Sequence, residues 1–304
     1  MLFQSLLPVF LYFAIGIALR VAGLADREHA PFIFRLVFYV TLPALAFQAI
    51  STAPLTSGAT LLPIAGFGVD VICLFAAWLY LRGTEVTAAQ AGAVVLGASI
   101  TNMVFMFPFV IAILGPPAMS IAVLYDVGNA IFVATVAYLA ALRFGAVDAG
   151  PVMQFVAKTL GSPLFIAVAA AMLVNLTGLQ VPALVGAIAS PLAAATSPLI
   201  LIGLGVSFSV TRMRDALPLH VVLLRMLVGL LAGMLVATSL GLTGLAAVVV
   251  VASAAAPIGF NSLTLASIGR LDTEQAAAAL SISVAVGLVT APLLLVVLSR
   301  WSFP

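Results

Sequence analysis

Charge is what this sequence has least of. Asp, Glu, Lys and Arg together supply 7% of its 304 residues, against roughly a quarter in a soluble domain. With 64% hydrophobic residues and a mean hydropathy of +1.33, too few polar groups remain to cover a water-facing surface. The chain reads as an all-α polytopic membrane protein whose first partner is the lipid bilayer, with little left over for a soluble domain. Cysteine is scarcer still. Cys73 stands alone, which excludes an intrachain disulfide and any multi-cysteine metal site; it reads as a small apolar residue facing its neighbours in a helix. The two histidines, His29 and His220, fall at the cytoplasmic surface and have no partner at ligand spacing, so no metal or cofactor is expected. A net charge of +2 from scattered basic residues offers nothing to nucleic acid. No Asp-rich motif, His-Glu-x-x-His motif or Gly-x-Ser-x-Gly elbow occurs, which argues against an enzyme. The apolar N-terminus lacks a basic leader, its first positive residue being Arg20, and it exceeds the roughly 7–15 residues of a signal core, so it is expected to be a retained span.

What the sequence does have is long apolar runs. A bilayer-crossing helix takes about 20 mostly apolar residues. Polar and Gly/Pro clusters divide the chain into ten such stretches: 2–24, 30–51, 59–81, 88–114, 117–143, 155–176, 182–208, 217–240, 243–268 and 275–299. Arg20, Arg27, Arg35, Arg82, Arg143, Lys158, Arg212, Arg214, Arg225 and Arg270 fall in or nearest the odd-to-even connections, and only Arg300 falls on the other side. That bias sets the cytoplasmic face and puts both termini away from it.

The chain also repeats at an offset of 155 residues. Pro8-Val9-Phe10 matches Pro163-Leu164-Phe165, Gly23-Leu24 matches Gly178-Leu179, and Thr41-Leu42-Pro43 matches Thr196-Ser197-Pro198. Each half holds five spans. Five is odd, so the second half enters from the opposite side, giving two inverted five-helix repeats.

Two apolar stretches are interrupted at matched places. In span 4, Ser99, Thr101, Asn102 and Pro108 stand within Gly97–Pro108; in span 9, Ser253, Pro257, Gly259, Asn261 and Ser262 stand close together. At the offset, Asn102 falls opposite Pro257. Proline removes a donor and clashes one turn back, and broken backbone at membrane depth lines protein or water rather than lipid. Paired broken helices are the sequence pointer to a transporter's binding site. Each break exposes a half-helix N-terminus with unpaired N–H groups and partial positive charge, which suits an anion such as a carboxylate. Pro108 and Pro257 are expected in the first turn of the second half-helices, where a missing donor does no harm. Ser99, Thr101, Asn102, Asn261, Ser262 and Ser253 then bind substrate or satisfy the freed backbone. A kinked but unbroken helix is the alternative.

Asp70 and Asp126 are the only acids deep in spans, where a charge costs at least roughly 2.5–3.5 kcal/mol unless paired or hydrated. At the offset, Asp70 in span 3 corresponds to Arg225 in span 8. The two are expected either to pair or to exchange as Asp70 takes up a proton, with a static ion pair as the plainer reading. Asp126 shares a face of span 5 with Asn129, beside Tyr125; it is a proton or cation site, or an acid bonded to backbone. Pro43 and Pro198 read as matched kinks in spans 2 and 7, with Thr41 and Gln48 near them. Phe105, Phe107, Phe109 and Phe260 crowd the breaks and read as packing.

The stretches Leu42-Pro43-Ala44-Leu45, Asn102…Phe105…Pro108, Leu124-Tyr125-Asp126-Val127-Gly128-Asn129 and Ala256-Pro257 with Asn261 occur in an order that resembles the auxin efflux carrier family along essentially the whole chain. Its bacterial members include transporters assigned to malonate and other organic acids, and its plant relatives export auxin. The resemblance implies ten helices in two inverted fives with broken crossover helices at spans 4 and 9. The repeat itself leaves 144–154 as the cytoplasmic connector between the halves, and the resemblance implies scaffold helices in 1–58 and 155–216 and a mobile transport unit in 59–143 and 217–304. It further implies carriage of a small organic anion, a bacterial cytoplasmic (inner) membrane, and Asn102, Asn129 and Asp70 at polar positions associated with substrate or a former ion site. Val104 and Phe107 stand where many members carry glycine, a departure that bears on the anion's size and shape. A sodium–proton antiporter on similar broken helices and an intramembrane transferase are the competing classes; Asp126 has no adjacent acid to favour the first. Substrate, direction, coupling ion and oligomeric state, a homodimer included, stay open at the level of sequence.

Overall fold

The computed structural model describes residues 2–53, 57–145, 152–208 and 216–300. Arg212 and Arg214, and the middle of the expected connector at 146–151, lie outside the described residues. Within them the chain is all-helical. In order the helices are α1 (Leu2–Val21), α2 (Arg27–Ser51), α3 (Gly58–Leu81), α4 (Ala88–Ser99), α5 (Met103–Leu114), α6 (Pro116–Gly145), α7 (Val152–Leu160), α8 (Pro163–Thr177), α9 (Ala183–Ser207), α10 (Leu217–Ser239), α11 (Gly244–Ala254), α12 (Phe260–Ile268) and α13 (Thr273–Ser299). Among the described residues, six of these (α2, α3, α6, α9, α10 and α13) are long and apolar enough to cross a membrane. The α7–α8 pair, bent by 52° at Gly161 and Ser162, makes a seventh. Large apolar side chains such as Leu11, Phe32, Trp78, Leu173 and Leu293 are exposed along these helices, as a lipid-facing surface requires and a water-facing one would not tolerate. The protein is an integral membrane protein.

Local sequence explains the boundaries. Thr87 and Gln90 form a capping box that starts α4, the Thr87 hydroxyl accepting from Gln90 N (3.2 Å) and Thr87 N donating to Gln90 Oε1 (3.1 Å). Asp272 caps α13 by accepting from Gln275 N at 2.9 Å. Gly178 ends α8 in the left-handed region, φ 67°. Three helices widen to a π turn, at Val37–Thr41, Val133–Ala137 and Leu224–Val228. The first directly precedes Pro43, whose missing N–H leaves a carbonyl without its usual partner one turn back. The third carries Arg225.

The helices group into two compact units. The first comprises Met1–Ala59, Phe107–Val123 and Leu160–Ser209. There α1 and α9 approach at Gly16 and Gly205, where a Cβ on either would meet the other's Cα within 2.9 Å. Two polar side chains in it cap helix C-termini. Asn175 Nδ2 donates to the carbonyls of Ile50 (2.8 Å), Ser51 (3.3 Å) and Ala53 (2.7 Å), and Arg20 donates to those of Val206 (3.3 Å) and Phe208. The second unit comprises Thr60–Met106, Leu124–Thr159 and Val210–Pro304. In it α3 and α6 touch through Gly66 and Gly128, each lying against the other helix's backbone, and α10 lies against α11 through Gly229 and Gly233.

Candidate functional site

The α4 helix stops at Ser99 and α5 begins at Met103; α11 stops at Ala254 and α12 begins at Phe260. The two breaks meet. Thr101 and Ile258 form an antiparallel bridge, with Asn102 N donating to Pro257 O (3.0 Å) and Gly259 N to Ile100 O (2.9 Å). Each break thus satisfies the other's freed backbone, which hydrocarbon could not do. Asn102 does two further jobs at 2% exposure. Its Oδ1 accepts from Phe105 N (3.0 Å), capping α5, and its Nδ2 donates to Ile258 O (3.0 Å). At Gly259 a side chain has no room: a Cβ would lie 2.7 Å from Ile100 Cγ2 and 2.8 Å from Thr101 O. Ser262 Oγ donates to Gly259 O (2.8 Å), and Ser99 Oγ to Val95 O (2.7 Å).

The prolines correct an expectation. Pro108 is not in the first turn of α5 but its sixth residue, and Pro257 lies inside the second break rather than in α12. For Pro108 the reason is the Asn102 cap. It starts the new helix immediately after itself, so the turn begins before the proline is reached.

Arg225 is fully buried and reaches both breaks. Its Nη1 donates to Ser99 O (3.0 Å), at the last residue of α4, and its Nη2 to Ala254 O (2.5 Å), at the last residue of α11. One guanidinium therefore sits at the partly negative C-terminal ends of both leading half-helices. Asp70 Oδ1 lies 3.4 Å from Nη1. That is long beside the roughly 2.7–2.9 Å of a charge-assisted hydrogen bond, so the carbonyls, more than the carboxylate, hold the guanidinium. Asp70 Oδ1 also accepts from Thr101 Oγ1 at 2.7 Å. Removing one member of a buried pair such as this leaves an uncompensated charge, at about 3–5 kcal/mol.

Asp126 and Asn129, one turn apart on α6, join the same cluster. Asn129 Nδ2 donates to Asp126 Oδ1 (2.8 Å) and to Thr101 O (3.3 Å). Sequence reading missed Ser283 on α13, whose buried Oγ accepts from Ile258 N at 3.1 Å. Serine in an apolar helix usually bonds its own preceding turn, so nothing in the sequence singled it out. It missed Gly287 too, where a Cβ would strike the Pro257 ring and lie 3.1 Å from Phe105.

The family model described as membrane transport protein covers residues 1–295. The chain belongs to that family. It is the family of auxin efflux carriers that the motifs resemble. A relative from Methanothermobacter thermautotrophicus, described as an uncharacterized transporter, is 25% identical over 300 residues, covering 97% of this chain and 98% of its own length.

Not every residue expected at this transporter's site joins the cluster. Asn261 is exposed on the first turn of α12. Pro43 and Pro198 belong to the first unit, inside α2 and α9. Pro198 lines a cavity of about 650 Å³ there with Gln48, Ser190, Ser197, Thr52 and Tyr12, and Gln48 Nε2 donates to Ser190 Oγ at 3.3 Å. Thr41 is buried. His29 Nδ1 accepts from Asp26 N (3.0 Å), and His220 Nδ1 bonds the Tyr80 hydroxyl (2.9 Å). Cys73 is buried and unpaired.

Proposed function

We propose that the protein is a secondary transporter of small organic carboxylate anions, working by alternating access. One observation carries this reading. Two helix breaks hydrogen-bond to each other while Arg225 takes the C-terminal ends of both leading half-helices. The α5 and α12 N-termini then bring partial positive charge to the crossing, which a carboxylate complements. Asn102 holds the donors in place, Thr101, Asn129, Ser99, Pro257 and Ser262 build the crossing around them, and exposed Asn261 offers a further amide to ligand. Asp70, Asp126 and Arg225 form the buried charged group within which coupling to protons takes place.

In this reading the chain forms ten membrane helices as two inverted repeats, with the α4–α5 and α11–α12 pairs as crossover spans. Residues 1–58 and 155–216 serve as scaffold, 59–143 and 217–304 as the moving unit, and 144–154 as the cytoplasmic connector. Both termini face away from the cytoplasm of a bacterial inner membrane. Reconstitution tests it. Proteoliposomes holding the purified protein should exchange radiolabelled malonate, succinate or benzoate for the unlabelled acid. Sodium-dependent proton flux with no carboxylate exchange would overturn the reading in favour of an antiporter.

A further inference from the structure

The two buried acids of the second unit stand in unlike surroundings. Asp70 is fully enclosed, accepts from Thr101 Oγ1 and sits beside a permanent cation that both half-helices hold in place. Asp126 keeps 9% exposure, and among the described residues no Lys, Arg or His lies within ion-pair distance of it. The groups facing it are Asn129 on its own helix and Asp70 on α3, with Arg225 of α10 beyond Asp70. An acid with no fixed counter-charge gains and loses a proton more readily than one that stands beside a permanent cation.

Asn129 carries the second half of the argument. Its Nδ2 faces two acceptors, Asp126 Oδ1 and Thr101 O, so the nitrogen must lie on that side. Its Oδ1 is buried and has no partner. A buried acceptor left unpaired is disfavoured, and it becomes useful once Asp126 changes from acceptor to donor. A protonated Asp126 has an O–H to give. Rotating the Asn129 amide by half a turn lets Oδ1 accept it, and the same rotation withdraws Nδ2 from Thr101 O. Thr101 is the residue that bridges the two breaks and donates to Asp70.

We infer that Asp126 is the proton-binding site of the transporter and that Asn129 is a positioning residue that relays its state to the crossing, while Asp70 remains the ionised partner of Arg225. The inference rests on carboxylate transport as proposed above and adds the coupling ion and its seat. The test uses the full-length protein in proteoliposomes with labelled malonate and succinate, which as dianions leak little through lipid. An imposed pH difference should drive accumulation in the wild type, up to roughly tenfold per pH unit for one coupled proton, and a protonophore should abolish it. Asp126→Asn should lose this accumulation, and its remaining exchange should show a flatter pH response than the wild type's. Asp126→Glu should recover a pH response, and Asp70→Asn should keep the shape of the wild-type profile. A wild-type profile in Asp126→Asn, or a flat one in Asp70→Asn, overturns the inference. Wild-type exchange with no pH-driven accumulation overturns it too and leaves carboxylate transport standing, whereas no exchange of any labelled acid overturns the transport reading itself. Should Asp126→Asn fail to fold, infrared difference spectra of the wild type decide. Acidification should bring up a protonated-carboxyl band together with an amide side-chain change, and the Asn129→Ala protein should lose the second but keep the first. No carboxyl band on acidification refutes the assignment.

Discussion

The two breaks are separated by the same 155 residues that separate Asp70 from Arg225, yet they are built from different chemistry. The first, at 100–102, is served by side chains: Asn102 caps α5 and bridges to Ile258, and Thr101 donates to Asp70. The second, at 255–259, contains no such side chain. It relies on Pro257, on the bare backbone of Gly259, and on Ser283 donated from α13. Both acids of the cluster belong to the first half and its cation to the second. The two breaks therefore share a place in the sequence offset but not their charge. Under the proposed function, an anion at the crossing would meet two helix ends with very unlike neighbours.

That contrast can be broken from either side. Asn102→Ala removes the cap, worth about 1 kcal/mol, and takes the side-chain donor away from buried Ile258 O. Carboxylate exchange should vanish and the melting temperature should fall in detergent; full exchange would show that the first break needs no side chain. Gly259→Ala attacks the second break through its backbone. The added methyl meets Ile100 and Thr101 O closer than contact allows, and overpacking of about 1–3 kcal/mol should separate the bridge and cut exchange strongly. Normal stability and transport would mean that the two breaks do not meet so closely. Ser283→Ala removes one hydrogen bond to Ile258 N, worth about 0.6 kcal/mol between membrane helices, and should give a small loss of thermal stability with transport retained. Asn261→Ala should leave stability unchanged, because its side chain is exposed, and should raise the apparent KM roughly fivefold, the loss of one hydrogen bond of about 1 kcal/mol. An unchanged KM would remove Asn261 from the site.

Much of the crossing was legible in the sequence because hydrocarbon is an unforgiving solvent. Ser99, Thr101 and Asn102 in the middle of an apolar run have few reasons to be there, and the offset paired them with the second interruption. The same offset matched Asp70 to Arg225, which lie 3.4 Å apart. Three features were less legible. The helix after the first break starts earlier than its proline suggests, because a cap at Asn102, not the ring of Pro108, decides where α5 begins. Arg225 reads as a partner for Asp70, but its shorter contacts are to backbone carbonyls, which carry no sequence signature. Ser283 looks like any small residue of an apolar helix, since its role depends on where α13 lies. The long helices were legible from their apolar length, whereas α7 and α8 read as one span although a Gly-Ser-Pro corner bends them by 52°.

The most direct measurement compares an acid with its uncharged twin. Calorimetry on the purified protein in lipid nanodiscs should detect malonate and fail to detect malonamide, which has the same skeleton and no charge, and the malonate signal should disappear in Asn102→Ala. Equal binding of malonate and malonamide would contradict a crossing whose helix ends select for negative charge.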